Sequence, residues 1–140
     1  MTRKQLATIV HKALLAAFVL AAAAMADRYF ASVDITNKLS RGIVLIVHCK
    51  SGDDDLGPRA LEANATFGMT FHQNFFGGTL FWCDLAVEDK RLSFTAFDES
   101  DHETYVKAFE VSDGGVDGVD SFSGEMVHVC GWRVVTHLNF

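Results

Sequence analysis

Apolar positions recur along this chain with a period of two. Ala31, Val33 and Ile35 alternate with polar neighbours until Asn37-Lys38 break the run. Thr66 to His72 places Phe67, Met69 and Phe71 on one face, and Thr79 to Val87 places Phe81, Cys83, Leu85 and Val87 on one face. Arg91 to Phe97 offers Leu92, Phe94 and Ala96, and Tyr105 to Val111 and Met126 to Val135 are further strand-like runs. Alternation of this kind predicts half-buried β-strands, because successive side chains point to opposite faces. Gly42 to Lys50 is nearly continuous in apolar, β-branched residues, which predicts a strand covered on both faces.

Turn residues separate the runs: Ser51-Gly52-Asp53, Gly57-Pro58, Asn74 to Gly78, Glu88-Asp89 and Asp98 to Asp101. Asp113 to Gly124 is rich in glycine and acid and predicts a flexible surface loop. Beyond the N-terminal segment, a short turn-like or one-turn helical patch at Arg59 to Ala63 is the one helical candidate. The predicted fold is all-β: a small antiparallel β-sandwich of about seven to eight short strands, disulfide-containing, in one domain spanning residues 27–140.

The first 26 residues follow another rule. Arg3, Lys4 and Lys12 precede an uncharged run, Ala13 to Ala26, that closes on Ala24-Met25-Ala26. This is the layout of a signal peptide over residues 1–26, cleaved before Asp27. Spanning a membrane takes roughly 18 apolar residues, more than that run supplies. The alternative is an uncleaved anchor; the expected outcome is a secreted, extracellular protein with no membrane insertion after cleavage.

Charge narrows the partners. Three of the 12 basic residues and none of the 18 acidic ones fall in residues 1–26, which leaves a net charge of -9 on the remainder. Such a chain repels phosphate backbones, so nucleic acid is not an expected partner. Cys49, Cys83 and Cys130 all lie beyond residue 26. In an oxidising compartment two of them can pair, and three pairings are open.

Candidate chemistry concentrates at HCKSGDDDLG, His48 to Gly57. His48 and Cys49 are neighbours on a strand and face opposite ways, so they do not chelate one metal ion together. Asp53, Asp54 and Asp55 lack the spaced pattern of a calcium loop. His128 and Cys130 share a face but stand roughly 7 Å apart, too far for a nucleophile and its base. No cofactor or metal is implied, and the protein is not expected to be an enzyme. Asn64-Ala65-Thr66 is an N-glycosylation sequon. The aromatics Phe67, Phe71, Phe81 and Trp82 are expected mainly in the core, whereas Phe75 and Phe76 fall in a turn and are candidates for recognition.

HCKSGDDDLG also carries a resemblance to the plant self-incompatibility S1 family, the S-protein homologues. Ile35-Thr36-Asn37 is similar to that family's early I-x-N segment, and Leu45 to Gly57 to its central signature. Phe71 to Cys83, Phe94 to Asp98 and Cys130-Gly131-Trp132-Arg133-Val134 resemble later blocks in the same order. The resemblance implies a secreted, disulfide-bonded β-sandwich without catalytic activity. It implies a ligand for a plasma-membrane receptor protein, as in pistil proteins that arrest incompatible pollen through calcium signalling. The family usually has four cysteines; Ser123 to Val129 lacks the third, so at most one of two bridges forms within this chain. Candidate receptor contacts are Asp53, Asp54, Asp55, Phe75 and Phe76, on a monomer. The competing expectation is an extracellular carbohydrate- or cell-wall-binding module using Trp82 or Phe75.

Overall fold

The protein is described by a computed structural model for residues 1–27, 30–72, 78–100, 106–120 and 123–134. An N-terminal helix, α1 (Arg3–Asp27), precedes ten strands: β1 (Phe30–Asn37), β2 (Leu45–Ser51), β3 (Asp55–Leu61), β4 (Thr66–His72), β5 (Leu80–Val87), β6 (Lys90–Asp98), β7 (Val106–Ser112), β8 (Gly115–Val119), β9 (Met126–Cys130) and β10 (Arg133–Val134). They form two five-stranded sheets. Sheet A has the order β4-β1-β7-β8-β9 and sheet B the order β10-β6-β5-β2-β3. Pairing is antiparallel except between β1 and β7, which run parallel.

The inner faces are those the alternation predicts. Val33 and Ile35 of β1, Val47 and Cys49 of β2, and Phe81, Cys83 and Leu85 of β5 are buried, as are Leu92 and Phe94 of β6. Rings bridge the two sheets: Phe71 of β4 stacks on Phe81 with centroids 4.4 Å apart, and Phe94 of β6 meets Phe109 of β7 edge-on at 4.9 Å. Such geometries add to area burial because ring edges and faces carry opposite partial charge.

Three strands go beyond the seven runs read from periodicity, and each has a physical cause. Arg59 to Ala63, predicted as a turn or helical patch, contributes instead to β3 and the turn after it. β3 is the outer edge of sheet B, where Pro58 costs no ladder bond and only Leu61 is buried, so no alternation marks it. Asp113 to Gly124, predicted as a flexible loop, contains β8. Here Asp113-Gly114 form a two-residue connection, since Ser112 pairs with Gly115. Gly115 has φ +128°, and a Cβ there would lie 2.1 Å from the carbonyl oxygen of Cys130. Glycine is thus required for β8 to reach β9. Finally, Met126 to Val135 is not one strand. It changes sheets at Gly131-Trp132, with β9 in sheet A and β10 in sheet B. The Trp132 indole N–H donates to the Ser112 carbonyl at 2.9 Å and fixes this crossover.

β2 also differs from expectation. Leu45, Val47 and Cys49 are buried, but Ile46 on the other face is 37% exposed. Its β-branched outer residues serve strand formation, not a second core.

The helix α1 is longer than the uncharged run it contains. It continues back through Lys12 and Lys4, and its Arg3–Ala22 portion is long and apolar enough to cross a membrane. None of that portion is buried against the sandwich. Length and apolarity therefore do not separate a signal sequence from an anchor here.

Candidate functional site

Cys49 and Cys83 face each other across β2 and β5 and form a disulfide, with Cα atoms 4.0 Å apart. Alternation turns both inward, where they are fully buried. Of the three pairings open from sequence, this one is formed, and Cys130 is a free thiol, half-buried at the end of β9. Burial raises the Cys130 pKa and the nearby Arg133 charge opposes that shift only in part.

The disulfide anchors the strand that leads into the acidic turn. That turn is closed locally: the Ser51 N–H donates to the Asp54 carbonyl at 2.7 Å, and the Asp54 N–H donates to Ser51 Oγ at 3.0 Å. The three aspartates then part company. Asp53 and Asp54 are exposed, and neither carboxylate has a partner among the described residues. Asp55 opens β3 and turns back onto the sheet. Its Oδ1 lies 2.5 Å from His48 Nε2 and accepts the Gly57 N–H at 2.9 Å.

These contacts hold the Asp55 carboxyl below the usual aspartate value of 3.8, the His48 hydrogen bond first and the Gly57 N–H second. Because the folded-state pKa is depressed, the stabilisation is complete above the unfolded-state value and fades as pH falls through the folded-state value. Asp55→Asn should therefore lower stability near neutral pH and lose that disadvantage on acidification below about pH 3.8. Urea melts of both proteins across that range measure this. A gap that stays constant with pH contradicts it.

His48 and Asp55 extend into a polar row on the outer face of sheet B. His48 is opposite Asp84, and Asp84 is opposite Ser93. Asp84 accepts a hydrogen bond from the Ser93 hydroxyl, and its other oxygen lies 3.7 Å from Lys50 Nζ. Trp82, expected mainly in the core, instead lies half-buried on this same outer face, opposite Lys50, because β5 turns its neighbours Phe81 and Cys83 inward. Periodicity predicts that these residues point away from the core, but the contacts join four strands and have no signature in any one segment.

Other sequence candidates are placed as follows. His128 pairs with Asp117 at 2.8 Å, not with Cys130. Among the described residues no serine or cysteine is hydrogen-bonded to a histidine, the arrangement a nucleophile and base require. No group of three or more metal-ligating side chains occurs among them. Phe81 is buried, and Phe67 and Phe71 pack against the core while remaining partly exposed. Asn64 is exposed in the β3–β4 turn with φ +63°, a conformation asparagine tolerates. Phe75 and Phe76 lie outside the described residues.

The result is a disulfide-bonded two-sheet sandwich whose polar groups are displayed on turns and on one open sheet face. Within that class its membership is specific. A family profile described as plant self-incompatibility protein S1 matches residues 32–134, and the chain belongs to this family. It is 38% identical to S-protein homolog 2 of Arabidopsis thaliana over 66 residues, 47% of this chain and 41% of the relative. It is 39% identical to S-protein homolog 3 over 67 residues, 48% of this chain and 45% of that relative. With S-protein homolog 18 it shares 32% identity over 91 residues, 65% of this chain and 67% of the relative. The matches span less than half the length of the first two of these relatives.

Proposed function

We propose that this protein is a secreted, non-catalytic recognition protein that acts as an extracellular ligand for a cell-surface receptor. The acidic β2–β3 turn is its contact element. The observation that carries this reading is the division within the turn. Asp55 is spent on His48, whereas Asp53 and Asp54 project from a short, internally closed turn with no protein partner among the described residues. Two unpaired carboxylates at the tip of a rigid turn suit a basic receptor patch, where they speed and orient association. The sequon supports the same polarity. β3 runs from the acidic turn towards Asn64, so a glycan on Asn64 would lie at the opposite end of the strand and leave the turn uncovered.

Labelled protein added to plant plasma membranes is expected to show saturable binding. Asp53→Asn with Asp54→Asn should slow association and weaken its salt dependence, with affinity falling about tenfold. No saturable site, or binding unchanged by the double substitution, would reject the proposal.

In this reading α1 is a cleaved signal sequence and Asn64 carries a glycan. Protein collected from the medium of a plant expression host is expected to begin at Asp27. It should lose mass on enzymatic deglycosylation, and Asn64→Gln should abolish that loss. N-terminal sequencing and mass spectrometry check both.

A further inference from the structure

A second feature lies at the far corner of sheet B. A groove of about 730 Å³ runs between β6 and the β9–β10 crossover, within the size range of small-molecule sites, roughly 300–1,000 Å³. It exists because β10 pairs only with Lys90 and Arg91 of β6, so the edge beyond Arg91 has no β10 neighbour.

Its chemistry is specific. Arg91 and Arg133 are direct cross-strand partners and both line the groove. Like charges in that position oppose pairing, so an anion between them would stabilise the strand end. Arg91 is held in place: its Nη1 donates to the carbonyls of Glu88 at 3.0 Å and Lys90 at 2.9 Å, which leaves its other N–H groups for a ligand. Arg133 is exposed and makes no side-chain hydrogen bond or ion pair among the described residues. Trp132 lines the same groove with its indole fixed by Ser112. Asp84 and Ser93 line it too; with the Ser93 hydroxyl donating to Asp84, both present acceptor oxygens to a ligand's hydroxyl groups.

We infer that this groove binds a carboxylated sugar, a uronic acid of one or two rings. The carboxylate would lie between the guanidinium groups of Arg91 and Arg133, which match its geometry. One sugar face would lie on Trp132, and ring hydroxyls would reach Asp84 and Ser93. The Asp84 carboxylate disfavours compact multiply charged anions such as phosphate or sulfate, and it favours a ligand with hydroxyl donors. The site is separate from the acidic turn. It lies at the opposite edge of sheet B, and Arg91 is at the other end of the strands from Ser51, so it stands or falls independently of the receptor reading.

The test is calorimetric titration of the full protein with digalacturonic acid, the matching neutral galactose dimer, phenylacetate and inorganic sulfate. Saturable binding of the digalacturonate, with the other three much weaker, is expected. Arg133→Gln should weaken it roughly tenfold, the loss of one charge-assisted contact, without lowering the melting temperature, because its side chain makes no other hydrogen bond or ion pair among the described residues and its loss relieves the repulsion from Arg91. Arg91→Gln should weaken it as much while also loosening the β5–β6 turn. Absence of saturation, equal binding of the neutral dimer, or digalacturonate binding unaffected by Arg133→Gln would overturn the site. Phenylacetate or sulfate binding as tightly as the digalacturonate would overturn the sugar assignment.

Discussion

Asn37→Leu is expected to destabilise the protein by about 4 kcal/mol, because three backbone groups, two of them buried and one part-buried, lose their side-chain partner. Asn37 is fully buried. Its amide Nδ2 donates to the carbonyls of Ile43 at 2.8 Å and Leu61 at 2.9 Å, and its Oδ1 accepts the Leu39 N–H at 2.9 Å. Its own backbone is paired too, to the Ala65 carbonyl and the Asn64 N–H. One side chain thus ties the end of β1 to the β1–β2 connection and to the last residue of β3. Leucine matches asparagine in size but can neither donate nor accept. Asn37→Asp keeps the acceptor but turns a buried carboxylate oxygen towards two carbonyl oxygens, and near neutral pH it should destabilise at least as much as leucine. Urea unfolding midpoints measure the series, and a leucine variant as stable as the parent would show that these bonds contribute nothing net.

The second large effect concerns the disulfide. Cys49→Ala with Cys83→Ala should cost about 4 kcal/mol, the chain-entropy value for a loop of this sequence separation of 34. Both sulfurs are fully buried, so the lost packing adds to that loss. Cys130→Ser is the control. Its thiol is unpaired and only half-buried, and its replacement should change stability by no more than about 1 kcal/mol. Reductant should lower the unfolding midpoint of the parent and leave the double variant unaffected. A double variant indistinguishable from Cys130→Ser would show that the bridge contributes no stability.

Much of the sandwich is legible in the sequence because its central strands bury one face each. Val33 and Ile35, Phe81 to Val87, and Leu92 to Ala96 alternate as the sheets require, and the alternation points Cys49 and Cys83 inward. What escapes is what burial does not encode. β3 is an edge with one buried residue, and β8 is held by backbone pairing and the glycine at 115. Asn37 is visible as a run-breaking polar residue, but its partners lie on three separate segments.

The candidate sites divide in the same way. HCKSGDDDLG is conspicuous as a cluster, yet the sequence does not distinguish Asp55, committed to His48, from Asp53 and Asp54, which have no partner among the described residues; that distinction depends on the register of β2 against β3. The opposed Arg91 and Arg133 belong to distant segments and meet only because the chain changes sheets at Trp132.

The parallel pairing of β1 with β7 has a consequence for how the chain is made. Ser32 meets Val106, so β1, an inner strand of sheet A, waits for most of the polypeptide before it gains its second neighbour. Sheet B differs: β2, β3, β5 and β6 lie close in sequence and include both bridged cysteines. Long-range pairing is entropically slow, and nearby pairing is fast. During synthesis the β6-β5-β2-β3 part of sheet B and its cross-link are therefore able to form first, as a template on which β1 waits until β7 emerges, with β10 added last.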